Sequence, residues 1–197
     1  MNYGELKHNL ISKGFAEESD YQEFEDLGYT YDAINDAVSE ISKDFPYETY
    51  FEFEIDESDT GIMYIDMSDR PGFLRFGETP VLFEKDGEEM WRAFTEYDIE
   101  MKRRLVFKAD DYKGSFRIYY YKEPTKVTPD TLDTFEFEIP LDAHILIPYL
   151  TAYLLWLDDD NTKAVMYKND YEAIKLDIQE KANEPRAKVK PSKWGDI

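Results

Sequence analysis

Apolar residues recur at two different periods along this chain, and the switch between them divides it. Leu6, Leu10 and Ile11 stand at helical spacing before Gly14, which predicts a helix over 2–13. The polar run AEESDYQEFEDLG (16–28) predicts a loop with one helical turn. A second helix starts from Thr30, an N-cap residue type with Asp32 in the first turn. Its stripe is Ile34, Ala37, Val38, Ile41 and Phe45. Pro46 ends it, because the residue before a proline is steered out of the helical region.

From Tyr47 the period falls to two. Phe51, Phe53 and Ile55 alternate with Glu52, Glu54 and Asp56, the mark of a strand with one wet face. GIMYIDM and PVLFEKDGEEMWRAF continue in the same style. Asp86-Gly87 suits a tight hairpin turn and Arg70-Pro71-Gly72 another turn. RRLVFKADDYKGSFRIYYYKEP predicts two strands around Lys113-Gly114, with Phe116, Ile118 and Tyr120 sharing a face. VTPDT is a loop, and TFEFEIP a last short strand.

The pattern then returns to helix. Residues 145–157 carry no charge and run into three aspartates. A membrane-spanning helix needs roughly 20 apolar residues, and this run is shorter and holds Pro148, Thr151 and two tyrosines. A buried helix fits, with Leu146, Leu150, Leu154 and Leu157 on one face and Tyr149, Tyr153 and Trp156 on another. Pro148 sits near its first turn, where a missing N–H costs little. Beyond the aspartates, Ala164, Tyr167, Tyr171, Ile174 and Ile178 recur at three- and four-residue spacing, giving an amphipathic second arm. After Glu180 the chain becomes polar, proline-containing and locally basic.

The order helices, strands, helices predicts an α+β fold. Helices from both ends (1–46 and 141–180) form one bundle, residues 47–140 an antiparallel β insertion, and residues 181–197 an extended C-terminal arm. Neither terminal helical segment has enough apolar surface to stand alone.

Composition narrows the function classes. With 42% hydrophobic residues the 197-residue chain has material for a real core. It has no cysteine, so disulfide and thiolate chemistry are excluded. No charged-then-apolar leader opens it, so a secretory signal is not expected. A net charge of −21 argues against a general duplex-binding surface. It leaves open an acidic lumen that repels DNA, a DNA mimic, or plain solubility.

Candidate chemistry is sparse. Asp158, Asp159 and Asp160 invite a calcium reading, but a loop counted from Asp158 has Lys163 where glycine belongs and Asn169 where glutamate belongs. An Asp or Asn capping the second arm explains them. His8 and His144 have no metal-ligand spacing, and no metal or cofactor is expected. No GxSxG, Walker A or GxGxxG motif is present, and carboxylates are too abundant for any pair to mean glycosidase. No catalytic residue is assigned. Tyr167 and Tyr171 face either a neighbouring copy or the chain's own core. The tail's Lys181, Arg186, Lys188, Lys190 and Lys193 outnumber Glu184 and Asp196, and Trp194 is of a type enriched where a partner desolvates it.

Three pieces carry a family likeness: YDAINDAVSEI (31–41), GSFRIYYYKEPTKVTPDT (114–131) and the run 137–178, in which an acidic turn precedes an Ala–Tyr-bearing helix. In this order the chain resembles the head–tail connector (adaptor) proteins of tailed bacteriophages, whose subunits form a ring beneath the portal. The likeness covers roughly a third of the chain and leaves out residues 1–28 and 57–112. It implies a non-enzymatic virion structural protein at the head–tail interface, made in the host cytoplasm. The implied partners are the portal protein, neighbouring copies in a dodecameric ring and a downstream neck or tail protein. Duplex DNA would only pass through the channel, and no membrane is involved. The resemblance also implies a C-terminal arm that reaches the portal, with Arg186, Lys188, Lys190 and Lys193 as steering charges and Trp194 as apolar anchor. The competing readings are an acidic DNA-mimic inhibitor of a host nuclease and a β-rich carbohydrate-binding module.

Overall fold

The computed structural model describes residues 1–183 apart from 86 and 88. Helix α1 (Tyr3–Ser12) opens with a reciprocal cap: the Asn2 side chain accepts from the Glu5 N–H at 2.8 Å, and the Glu5 carboxylate accepts from the Asn2 N–H at 3.0 Å. The stretch expected as a loop contains a second helix, α2 (Glu18–Asp26). Only Tyr21 is buried on it, so its stripe is too short to register as a period. Helix α3 (Tyr29–Asp44) starts earlier than expected. Its N-cap is Gly28 at φ +79°, and Thr30 is a buried first-turn residue rather than the cap. The stripe Ile34, Ala37, Val38 and Ile41 is buried as its spacing requires.

Strands β1 (Tyr47–Ile55), β2 (Ile62–Asp66), β3 (Phe73–Lys85), β4 (Arg92–Ala93), β5 (Asp98–Glu100), β6 (Arg104–Lys108) and β7 (Gly114–Lys122) follow. They form two antiparallel sheets, ordered β1-β7-β3-β4 and β2-β6-β5. The two strands flanking Lys113-Gly114 are therefore not a hairpin but belong to different sheets, because β7 pairs with β1 along its whole length. Gly87 is at φ +81°, yet Phe83 pairs with Arg92, so the β3–β4 connection is longer than a two-residue turn. The tight hairpin of the fold lies elsewhere, between β5 and β6. There Met101 (φ +51°) and Lys102 (φ +61°) adopt the left-handed conformation that glycine or asparagine normally supplies.

Between the sheets the period-two positions meet in an aromatic core. Phe53 stacks on Phe116 at 5.2 Å from the same sheet, and Phe107 of β6 stacks on Phe116 from across it, also at 5.2 Å. Leu105, Ile118, Ile55 and Met67 are fully buried beside them.

Helix α4 (Leu146–Trp156) is introduced by a 3₁₀ turn (Leu141–Ile145) and followed by α5 (Asn161–Asn183). Asp160 caps α5, its Oδ1 accepting from the N–H groups of Thr162 and Lys163. Helix α4 packs against α1, α3 and α5. Leu146, Ile147, Leu150 and Trp156 are buried, whereas Leu157, expected on the leucine face, lies past the helix end and is exposed. Helix α5 runs on through Lys181, which pairs with Asp177, and so extends three residues into the segment read as arm.

The expected strand TFEFEIP is not one. Glu136 makes an isolated bridge to Asn2, while Phe137 and Ile139 are buried in the helical core. Any extended segment lying against a core buries alternate residues, so the period-two signal was genuine and its partner was a helix layer. The irregular return path, residues 123–140, is tied to the start of α1, where the Tyr3 and Gly4 N–H groups donate to the Phe135 (2.8 Å) and Asp133 (2.9 Å) carbonyls, and to two further anchors. The Asn35 carboxamide donates to the Val127 carbonyl (2.9 Å) and accepts from the Val127 N–H (2.8 Å). The Lys122 ammonium, at the end of β7, reaches the Glu138 carboxylate at 2.6 Å, and Thr125 donates to that carboxylate through both its N–H and its hydroxyl.

Two consequences can be measured. Asn35→Ala leaves both backbone groups of buried Val127 unpaired, and we expect a loss of about 2–4 kcal/mol in urea unfolding. A loss under about 1 kcal/mol would show that the clamp is dispensable. Burial alone would raise the Glu138 carboxyl, but the hydrogen bonds from Lys122 and Thr125 outweigh it and hold it below its ordinary 4.5. A depressed folded-state value gives stability that is present above 4.5 and lost as pH falls through that value and below. The stability–pH curve of Glu138→Gln should lack that part of the acid limb. A variant curve parallel to that of the parent would contradict the assignment.

Candidate functional site

The two tyrosines open to either a subunit interface or the chain's own core turn inward. Tyr167 is 7% and Tyr171 1% exposed, in the core shared by α1, α3, α4 and α5. The reason is the packing of α5 onto α4 and the loop after α1: the Tyr167 hydroxyl donates to the carbonyls of Gly14 (3.1 Å) and Phe15 (3.3 Å). The indole N–H of Trp156 reaches the same Phe15 carbonyl at 2.8 Å. Burial raises both phenols above their ordinary range. Of the two readings open for Tyr167 and Tyr171, the candidate interface face and the chain's own core, the structure places both side chains in the core. The candidate arm residues Arg186, Lys188, Lys190, Lys193 and Trp194 lie outside the described residues.

The surfaces that do present themselves were not singled out by the sequence. At the corner between α2 and α3, Gly28 takes a left-handed turn and sets Leu27 and Tyr29 on either side, 57% and 58% exposed. With Phe24 and Leu154 they floor a groove of about 550 Å³. Its rim is acidic on every side. Asp20 and Glu23 come from α2, Asp32 and Asp36 from α3, and Asp158 and Asp159 from the α4–α5 turn; among the described residues no Lys or Arg lines it. Such a groove combines apolar area with an unrelieved negative potential. In the sequence four of these carboxylates lie within 20–36 and the other two at 158–159, and Leu27 and Tyr29 belong to no stripe. Only the tertiary corner brings them together.

The second surface is the outer face of the four-stranded sheet. The Tyr50 and Tyr119 rings lie 5.2 Å apart, and the Arg117 guanidinium sits over Trp91 (4.1 Å) and Tyr50 (4.9 Å) while pairing with Glu52 at 2.5 Å. Arg75 covers the Tyr121 ring at 4.2 Å. Gly77, in the irregular part of β3, lies against Glu48 and Tyr119. An added Cβ there would run into the Glu48 carboxylate and come within 3.2 Å of the Tyr119 Cβ. Arg117 finds its counter-charge and its ring partners within this face, which makes it a braced, polar-aromatic platform unlike the groove.

Among the described residues no group of three His, Asp or Glu side chains is arranged to hold a metal ion, and no helix is long and apolar enough to cross a membrane. No family model matches the chain, and no curated protein matches it.

The inward and outward aromatics separate in a stability measurement. Tyr171→Ala should cost about 3–5 kcal/mol, the range for emptying a core aromatic site. Leu27→Ser and Tyr29→Ser should each stay within about 0.5 kcal/mol, as exposed positions do. Equal losses at all three positions would mean that the groove floor is part of the core.

Proposed function

We propose that this chain is a head–tail connector subunit of a tailed bacteriophage, a ring-forming adaptor that joins the portal to the next neck or tail component. The observation that carries the reading is convergence. The first piece with the family likeness lies far in sequence from the other two, yet its Asn35 clamps Val127 of the second, and Phe137, Ile139, Tyr167 and Tyr171 of the third share its core. A likeness confined to unrelated surface segments would have no reason to assemble into one unit.

In this reading the helices from both ends form one bundle, the two sheets project from it as an insertion, and the basic C-terminal segment is the arm toward the portal. The work is geometric and needs no catalytic residue. A closed ring requires two different patches that meet head to tail, and the acid-rimmed groove and the aromatic sheet face are two surfaces of different chemistry on one subunit. A channel for duplex DNA must not hold the phosphate backbone, which suits a chain of net charge −21.

The test is to mix purified portal rings with the full-length chain and with a chain ending at Asn183, and to image both. The full chain should add a ring of density below the portal, and the shortened one should not. Absence of added density with the full chain would contradict the proposal. Affinity for duplex DNA should be weak even at low salt. Tight binding that falls steeply with salt, or displacement of DNA from a nuclease by this chain, would favour the rival readings.

A further inference from the structure

We infer that the acid-rimmed groove is the seat of the C-terminal segment, residues 184–197, of a neighbouring copy of this chain. Two requirements of the groove are met together by that one peptide. Its apolar floor at Phe24, Leu27 and Tyr29 calls for a large apolar side chain, and the segment carries Trp194. Its rim at Asp32, Asp36, Asp158 and Asp159 calls for cations, and the segment carries Arg186, Lys188, Lys190 and Lys193 against Glu184 and Asp196. In a chain with 44 acidic residues and 23 Lys or Arg, a peptide with a basic excess is scarce, and so its destination is restricted.

Reach decides between the chain's own groove and a neighbour's. The groove borders Asp158 and Asp159, just before α5 begins, whereas the segment leaves from the far end of that helix at Asn183. The 23 residues of α5 set the two about 34 Å apart. Fully extended at about 3.3–3.6 Å per residue, the stretch from Asn183 to Trp194 barely exceeds that span even on a straight path. Docking at home would therefore require the whole segment to be pulled taut around the body. A neighbour imposes no such stretch, so the contact runs from the tail of one copy to the groove of the next. Contacts of this kind propagate, closing into a ring or continuing as a filament. The contact does not depend on the connector reading. In that reading the portal competes with the groove for the same segment.

The experiment uses two full-length variants that each break one half of the contact. Asp36→Lys with Asp158→Lys reverses charge on exposed rim positions, and Trp194→Ala removes the anchor. By sedimentation at low salt the parent chain should self-associate with rising concentration, and either variant alone should weaken that association at least tenfold. An equimolar mixture of the two variants should restore a pair and stop there, because one intact tail and one intact groove remain. Asp36→Asn with Asp158→Asn, which cannot be blamed on charge reversal, should lie between. Free peptide of sequence 184–197 should dissolve the parent's assemblies, and about 0.5 M salt should weaken them. A parent that stays monomeric, variants that associate like the parent, or a mixture that forms no pair would each overturn the inference. Unchanged assembly in excess peptide would overturn it as well.

Discussion

The join between the sheets and the helical core depends on how one irregular stretch, residues 123–140, is held against helices α1 and α3. That stretch is the return path from the sheets to the helices, and it has no ladder of its own to satisfy its backbone. Asn35 supplies the missing partner by engaging both polar groups of Val127 at once, at 2.9 and 2.8 Å. Val127 is buried, so without that carboxamide its N–H and carbonyl would be stranded away from water. Next to the clamp, Lys122 and Thr125 converge on Glu138 and tie the end of β7 to the segment entering α4. Phe137 and Ile139 can then drop into the same core as Leu6, Ile34 and Leu150. The helical core and the inter-sheet aromatic core are thereby fixed in one chain path.

Much of this was legible where burial and period coincide. The α3 stripe, the alternation of β1 and β7 and the uncharged run of α4 all declared themselves, because each buries one consistent face against a large neighbour. The errors share a cause. Period two predicts a strand at 134–140, where the partner is instead a helix layer. Helix α2 leaves no periodic signal because a single buried residue makes no stripe. Spacing leaves Tyr167 and Tyr171 open between a neighbouring copy and the core, because amphipathic spacing says which residues share a face and not what covers it. The groove had no signal at all, since its carboxylates lie on α2, α3 and the α4–α5 turn. Asn35 was invisible for the same reason: its partner is backbone, which leaves no side-chain pattern.

The distribution of aromatic residues bears on the proposed role. Most rings are spent on the two cores and on the braced sheet face, where arginines cover the exposed tyrosines. What remains exposed and apolar at the α2–α3 corner is small, local and surrounded by negative charge. A groove that combines an apolar floor with a like-charged rim repels other acidic surfaces while admitting a basic peptide.

The most direct measurement of the central claim is the copy number of this chain in purified phage particles, counted by quantitative mass spectrometry against the portal protein. The account predicts that the chain is present at one copy for each portal subunit, as a ring stacked on the portal ring requires. Its absence from particles, or a copy number that follows the capsid protein instead of the portal, would contradict it.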